Sequence, residues 1–551
     1  MARGREGGGV RARTGLAVVA LCAFVAAAGC SKVGTTTSTS AQNVNPWTER
    51  GVLRIIANQE PNSLLRLFSN QAAADDMTAL LFEPMFRYDD RGDPVPALAT
   101  TFPTEQNGLI SKDGLRITFK LEPKARWSDG QPVTAEDVIF TWHAIVDGNN
   151  PVVTTAGYDG IKTMIADNPH QVTMVLKKPY GPSVFLFSEG SFPPLPAHLL
   201  ARFPRIDRLP YDAHPVGDGP YILKQWVHGS DLIFSPNPLY WRGEPKLSEV
   251  DIRVIPNSVT DVSELKTHEI DVLDGVSKNL IGQLDSIDGI RVVKQLTANY
   301  RHLDFNLHNP ILADLTVRRA IATSIDFDKI IHDVYHGLGQ RGSTVIPPMS
   351  WAASDLKPLP YDPASARASL AADGWKVGPG GIRARDGVRL SLAMSTATEN
   401  LPNQMAEQIV AAELHDVGID VTIKNYATSV LFAPDGPLYG DRYDMAWIVN
   451  TDGTDPDFLG GIGCDYWPPH GANTDFYCNH RVDALLRDAQ VHYDFAVRKR
   501  DYDQASKILI DEAPYVVVYW DINVVAENSD VKNFKPSPFI TDFWNAWEWE
   551  I

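Results

Sequence analysis

Three aspartates that could bind a cation lie close together in the last fifth of the sequence. Asp452, Asp455 and Asp457 follow a predicted strand over 443–449. In open α/β sheets, ligand-binding residues lie just beyond the carboxyl ends of the strands. A carboxylate that is partly desolvated when a cleft closes is suited to bind an ammonium group. The cluster therefore predicts a cation-binding site, and the alternative is that Asp452 only stabilises the turn at 453–454.

Other chemistries fit these residues less well. A calcium loop has ligands at alternate positions and a terminal glutamate, and this run has neither feature. Hydrolysis by Asp452, Asp455 and Asp457 would need an acid–base partner, and the sequence has no G-x-S-x-G, H-E-x-x-H or Walker-type motif. His332 and His336 have a spacing that could bind a metal, but the charged residues around them favour a solvated helix face. The sequence predicts a binding protein, not an enzyme, without metal or cofactor.

The N-terminus has the pattern of a secretory signal. A basic start is followed by the apolar run 16–28, which is too short to span ~30 Å of hydrocarbon, and then by Gly29-Cys30. We predict a signal peptide over 1–29. The segment 27–30 resembles a bacterial lipobox, in which the cysteine carries a lipid, and a polar segment over 30–44 would be the tether. The alternative is ordinary cleavage, with Cys30 incidental.

Charge and cysteine content narrow the function further. The formal net charge is −18, and such an acidic surface repels phosphate backbones, so we expect no nucleic-acid partner.

Cys22 lies in the predicted signal, and Cys30 is the predicted anchor. Cys464 and Cys478 remain, and outside the cytosol they are expected to form a disulfide. The alternative is two independent buried thiols.

The periodicity of apolar residues predicts two α/β units. The first opens with a buried strand over 52–57 and a helical pattern over 72–86. Thr134 is placed to cap a helix, because acidic residues and an apolar stripe follow it. The second unit begins near a strand over 301–307, after which Asp314 is placed to cap another helix. Strands and helices then alternate, which is typical of a separate sheet.

Several segments together resemble one family, the extracytoplasmic peptide-binding proteins of ABC importers, in the dipeptide- and oligopeptide-binding class. The most specific stretch is 127–142, WSDGQPVTAEDVIFTW. The other matches, in the order of that family, are 215–221 (PVGDGPY), 305–307 (FNL) with 317–320 (VRRA) and 325–326 (ID), 361–367 (YDPASAR) with 374–375 (GW), 443–446 (YDMA), 455–457 (DPD) and 482–483 (VD).

The resemblance implies an α/β clamshell of two lobes, similar to periplasmic binding proteins, with an extra subdomain in the first lobe. Lobe I would comprise 45–302, with the subdomain inserted at about 95–215. Lobe II would comprise 303–519, and the segment 520–551 would return to lobe I. Cys464 and Cys478 fall where some dipeptide-binding members carry a disulfide.

The resemblance also implies a ligand and partners. Asp452 corresponds to the carboxylate that pairs with the α-ammonium of a bound peptide, and the peptide backbone would bind in strand-like fashion. An anchored monomer outside the membrane would pass the peptide to the transmembrane subunits of an ABC permease. The candidate ligand-binding residues are Asp452, Asn450, Thr451, Gly453, Glu60, Ser63 and Asn306.

Departures from the family pattern leave the cargo open. Val449 stands where the family often has Trp, and Trp447 is displaced along the same strand. Glu399 lies in the region 398–400, where some dipeptide-specific members carry an arginine, which speaks against strict dipeptide specificity. Relatives of this fold bind haem, nickel chelates or oligosaccharides, and a regulatory envelope lipoprotein that does not transport is a further alternative.

The anchor assignment predicts that Cys30→Ala releases the protein from the membrane. Without the thiol there is no site for the lipid, and the remaining chain carries no other membrane-length apolar stretch. Fractionation with intact mass measurement tests this. A variant that stays in the membrane fraction, together with a wild-type protein without lipid mass, would contradict the assignment.

Overall fold

A computed structural model describes residues 44–551. The predicted signal peptide, Cys30 and nearly all of the predicted tether lie outside the described residues. Between 44 and 551 the strands are β1 Val52–Ala57, β2 Phe86–Tyr88, β3 Pro94–Pro96, β4 Arg116–Lys120, β5 Ile161–Asn168, β6 Gln171–Leu176, β7 Tyr221–Val227, β8 Asp231–Pro236, β9 Glu249–Val254, β10 Val272–Leu273, β11 Ile290–Phe305, β12 Gly339–Arg341, β13 Lys376–Val377, β14 Arg383–Arg385, β15 Val388–Arg389, β16 Ser391–Ser395, β17 Asp420–Ile423, β18 Met445–Thr451 and β19 Tyr515–Asn528.

The helices begin and end where local chemistry dictates. Thr134 and Asp137 form the predicted capping box at the start of α2, and the Asp314 side chain caps α5. The helix predicted over 72–86 ends earlier, because Pro84 cannot continue it. The α-helices of the described chain are α1 Ala72–Leu81, α2 Ala135–Val146, α3 Ala197–Leu200, α4 Ser258–Lys266, α5 Leu315–Ser324, α6 Phe327–Asp333, α7 Pro363–Ala372, α8 Leu401–Asp416, α9 Thr428–Leu431, α10 Leu459–Ile462, α11 His480–Val491 and α12 Phe495–Glu512.

One large mixed sheet organises the fold. Its strand order is β17-β16-β18-β11-β19-β10-β1-β9-β8-β7, and β12 pairs with β19. β1 is parallel to β9 and β10, and β16 is parallel to β17 and β18. Between these two parallel groups, β11 and β19 run antiparallel to each other along nearly their whole length. The strand predicted over 301–307 is thus the end of a much longer one.

The two ends of the sheet have different hydrophobic cores. Leu53 on β1 and Phe234 on β8 belong to one core, whereas Leu392 on β16 and Trp447 on β18 belong to the other. β19 contributes Val525 to the first core and Val518 to the second. This arrangement confirms the predicted α/β class with two lobes.

A smaller antiparallel sheet lies within the segment predicted as an inserted subdomain. Its order is β4-β6-β5, and its residues Ile117, Phe119 and Val172 pack into the same core as Leu53. The lobe limits 45–302, 303–519 and 520–551 stay predictions, since β19 lies in the middle of the sheet and contributes residues to both cores.

Cys464 and Cys478 form a disulfide, as predicted. The bond closes an irregular loop between α10 and α11. In the range 44–551, no helix is both long and apolar enough for a membrane span.

We expect Cys464→Ser/Cys478→Ser to lower the free energy of unfolding by ~3 kcal/mol, because the closed loop restricts the unfolded chain. Urea titration of the wild-type and double-mutant proteins measures this difference. Reductant should shift the wild-type transition in the same direction and leave the mutant transition unchanged. Labelling of both cysteines in the untreated wild-type protein by a thiol reagent would contradict the prediction.

Candidate functional site

Asp452 lies immediately after β18 with one carboxylate oxygen unused. Its N–H donates to the Ala298 carbonyl at 3.0 Å, which fixes the backbone beside β11. Its Oδ2 atom is buried and has no hydrogen-bond partner within the described chain. Burial, followed by repulsion from Asp455 and Asp457, raises the pKa of Asp452 well above its ordinary value, and the Gly453 N–H offsets this in part. A positively charged donor would satisfy this oxygen.

The neighbouring Asp455 is engaged by an arginine. Arg498 on α12 donates from two nitrogens to the Asp455 carboxylate at 2.6 and 2.7 Å, and the guanidinium is fully buried. Arg498 also donates to the Tyr502 hydroxyl at 2.8 Å. A bidentate pair of this kind fixes both geometry and charge. Asp455 therefore has a structural partner, which disfavours both a calcium loop and a hydrolytic role.

Asp457 joins two distant parts of the chain. Its Oδ2 accepts hydrogen bonds from the Tyr180 hydroxyl at 3.3 Å and from Gln490 Nε2 at 2.8 Å. Nearby, the Tyr493 hydroxyl donates to the Gly114 carbonyl at 2.8 Å. Tyr180 and Gly114 belong to the predicted subdomain. The loop over 452–457, which is named the acidic loop, is therefore packed against that subdomain. Of the three aspartates, Asp452 retains an unpaired buried oxygen.

A cavity of about 160 Å³ lies along β18, and its lining includes two residues shortly before Asp452, namely Ile448 and Asn450. Asn450 lies two residues before Asp452. Tyr300, which pairs with Asn450 across β11 and β18, lines the cavity as well. Burial, followed by the charge of Asp452, raises the pKa of Tyr300 above its ordinary value. The other lining residues are His302, Asp304, Val345, Phe432, Leu438, Tyr439, Phe458, Gly461, Ile462, Ala472, Thr474, Asp475 and Tyr515.

A second cavity, of about 430 Å³, opens where β1 and β10 end. Asn58, Asp274 and Asp76 contribute polar groups to its wall. Burial raises the pKa of Asp76 to about 8, although the Thr541 hydroxyl donates to it at 2.6 Å. Asn299 also lines this cavity and accepts a hydrogen bond from Thr451 at 2.6 Å. Thus β11 borders both cavities at consecutive residues.

The structure groups some of the predicted site residues and separates others. Asn450, Thr451, Asp452 and Gly453 are consecutive at the end of β18, and Asn450 and Thr451 are exposed. Glu60 lies elsewhere and accepts hydrogen bonds from Trp226 Nε1 and His228 Nδ1, both at 2.8 Å.

Ser63 and Asn306 are also held by their own neighbours. The Ser63 hydroxyl donates to Asp212 at 3.0 Å, and Asn306 Nδ2 donates to Asp441 and to the Tyr443 carbonyl, both at 2.8 Å. Ser63 and Asn306 are absent from the lining of the two cavities described above, as is Glu60. These bonds position loops, and a ligand contact by any of the three residues stays a prediction.

Sequence reasoning missed most of the polar wall of the smaller cavity. His302 and Asp304 alternate on one predicted strand, so the pattern could have placed them on one face. Asp475 lies in a loop, and no local pattern indicates that it approaches that strand.

Glu399 accepts from the Thr428 N–H at 3.0 Å and from its hydroxyl at 2.9 Å, so it supports the start of α9.

A family model described as bacterial extracellular solute-binding proteins, family 5, middle region, matches residues 93–478. The oligopeptide-binding protein AppA of Bacillus subtilis is 24% identical over 97% of this chain and 97% of its own length.

Solved structures share the fold. The structure of AppA from Bacillus subtilis in complex with a nonapeptide superimposes with a TM-score of 0.72 at 23% identity, over 90% of this chain and 98% of that one. NikZ from Campylobacter jejuni in complex with Ni(L-His) gives a TM-score of 0.76 at 24% identity, over 92% of this chain and 100% of that one.

We expect Arg498→Met to lower the free energy of unfolding by ~3–5 kcal/mol, because it leaves the buried Asp455 carboxylate without its counter-charge. Arg487→Met is the matched control, since Arg487 forms a solvent-exposed pair with Asp465 and such pairs contribute ~1 kcal/mol or less. Urea denaturation measures both values. Equal stability losses in the two variants would show that the Arg498 pair has no special structural weight.

Proposed function

Because this chain belongs to the bacterial extracellular solute-binding proteins of family 5, we propose that it captures peptides outside the membrane and delivers them to an ABC-type permease. The earlier resemblance to that family is therefore correct. Delivery requires no bond chemistry. The ligand need only bind the closed arrangement of the lobes more tightly than the open one, and the permease responds to closure.

The observation that carries the proposal is the buried, unpartnered Oδ2 atom of Asp452. A desolvated carboxylate without a partner is costly, and an ammonium group placed against it removes that cost. The α-ammonium of a peptide supplies both the positive charge and the hydrogen-bond donors. We therefore assign the peptide N-terminus to Asp452.

The rest of the peptide would continue along the end of β18. Asn450 and Thr451 are exposed there, and Gly453 has no close neighbour on its side-chain side beyond the Asp455 carbonyl at 3.8 Å. Backbone groups of this segment can pair with an extended ligand without reading its side chains. For Glu60, Ser63 and Asn306 we propose a supporting role, in keeping with the loop contacts that occupy them.

Metal-chelate cargo is the competing function, since a structural neighbour was solved with Ni(L-His). Within 44–551, the side chains placed to hold a metal together are Cys464, Cys478 and His480. Two of these are joined in the disulfide. The unpaired Asp452 carboxylate favours a peptide over a bare metal ion. Calorimetry with the nickel–histidine chelate distinguishes the two classes of cargo.

We further propose that Cys30 carries the lipid anchor and that 30–44 is the tether of a monomeric protein. Lobe I at 45–302 and lobe II at 303–519, with the return at 520–551, would then close on the peptide outside the cell membrane. The acidic loop and its contact with Tyr180 lie where the lobes would meet.

Asp452→Asn should weaken the binding of a free tripeptide such as Ala-Ala-Ala by ~3–5 kcal/mol, because the desolvated ammonium loses its counter-charge. Calorimetry measures the affinity, and the exposed Asp465→Asn variant serves as the charge-matched control. N-acetyl-Ala-Ala-Ala should bind wild type weakly and be indifferent to the substitution.

Two results would argue against this assignment. If free and acetylated peptides bind wild type equally, Asp452 does not pair with the N-terminus and only stabilises its turn. If the nickel–histidine chelate binds and no peptide does, the cargo class is wrong.

A further inference from the structure

The smaller cavity has an acidic wall that the peptide N-terminus does not use. His302 and Asp304 lie on β11, and Asp475 lies in the loop closed by the disulfide. All three side chains are at least nine-tenths buried, with exposures of 5%, 3% and 4%. Buried ionisable groups of this kind are usually paired.

Two polar atoms of this wall have no partner among the described residues. Asp475 Oδ1 is buried without a hydrogen bond, and so is His302 Nε2. The other ring nitrogen of His302, Nδ1, contacts Asp304 Oδ1. The wall therefore holds two carboxyl groups beside one imidazole, which gives it an acidic character.

The surrounding groups relieve this charge only in part. Burial first, and then the nearby Asp304 carboxylate, raise the pKa of Asp475 well above its ordinary value, while Tyr443 and Arg318 act in the opposite direction. The Arg318 guanidinium donates to backbone carbonyls, among them those of Leu312 and Glu512, so its hydrogen bonds are directed elsewhere. Within the described chain, Asp475 Oδ1 is therefore open to a hydrogen bond from a donor outside the protein, whether water or a ligand group.

The remaining walls suit an alkyl chain that leads to such a donor. Tyr300, Tyr515, Phe432 and Phe458 line the cavity with aromatic surface. An engineered cavity of ~150 Å³ holds benzene, so about 160 Å³ has room for a lysine side chain. An aliphatic stem along apolar walls with a charged tip at a carboxylate is how basic side chains are commonly buried.

We propose that this cavity is a specificity pocket for a basic side chain on the first residue of the bound peptide. The position follows from Asp452, because Asn450, two residues before Asp452, lines the cavity together with Tyr300, the residue that pairs with Asn450 on β11. The proposal rests on the proposed function. It adds a substrate class, namely peptides that begin with lysine or a similar residue.

Calorimetry with Lys-Ala-Ala and norleucine-Ala-Ala tests this, because the two peptides differ in the terminal ammonium of one side chain. Wild type should bind the lysine peptide about tenfold to a hundredfold more tightly, as expected for a hydrogen bond to a buried charge. Asp475→Asn should abolish this preference while binding of the norleucine peptide persists. Asp488→Asn, an exposed substitution of equal charge on α11, should retain it.

The outcomes separate the two proposals. Equal wild-type affinities for the two peptides would overturn the specificity pocket and leave peptide capture intact, and this comparison needs no variant to fold. A lysine preference that survives in Asp475→Asn would also overturn it. If neither peptide binds wild type, the proposed peptide function fails, and the pocket assignment fails with it.

Discussion

The antiparallel pairing of β11 with β19 is the constraint on which the other features depend. These two long strands lie between the parallel strands of both ends of the sheet and take part in both hydrophobic cores. Their register shifts between Leu296 and Tyr300 and again between Arg301 and His302. Such irregularities in strand pairing change the direction in which the side chains of the strand point. The shifts fall where β11 borders the two cavities, so the pairing of these strands also shapes the walls of both cavities.

Electrostatics at the acidic loop depends on which carboxylates have partners. Three aspartates within one short loop repel one another. Arg498 neutralises Asp455 by a direct ion pair. Asp457 accepts hydrogen bonds from Tyr180 and Gln490. Among residues 44–551, Asp452 Oδ2 has no hydrogen-bond partner. Asp475 likewise has a buried oxygen without a hydrogen-bond partner within the described chain.

Short sequence patterns correctly predicted the secondary-structure elements that depend on neighbouring residues. The first strand and the capping of α2 by Thr134 and of α5 by Asp314 follow from short-range sequence features. The disulfide was predicted from the cysteine count together with the expected export. The strand predicted over 301–307 is much longer, because the polar residues in its first half are held by pairing with β19 rather than by an apolar pattern. Likewise, the candidate Asp452 was accessible to motif comparison, whereas Asp475 reaches the cavity only through tertiary folding.

The disulfide has a consequence for when the pocket is complete. Ala472, Thr474 and Asp475 line the cavity from inside the covalent ring formed by Cys464 and Cys478. This wall is built from loop rather than strand, and the ring restricts the conformations open to it. A newly made chain in a reducing cytosol lacks that restriction. Formation of the Cys464–Cys478 bond therefore decides when this part of the cavity wall becomes covalently restrained: under reducing conditions the loop lacks the restraint, and under oxidising conditions the loop is held by it.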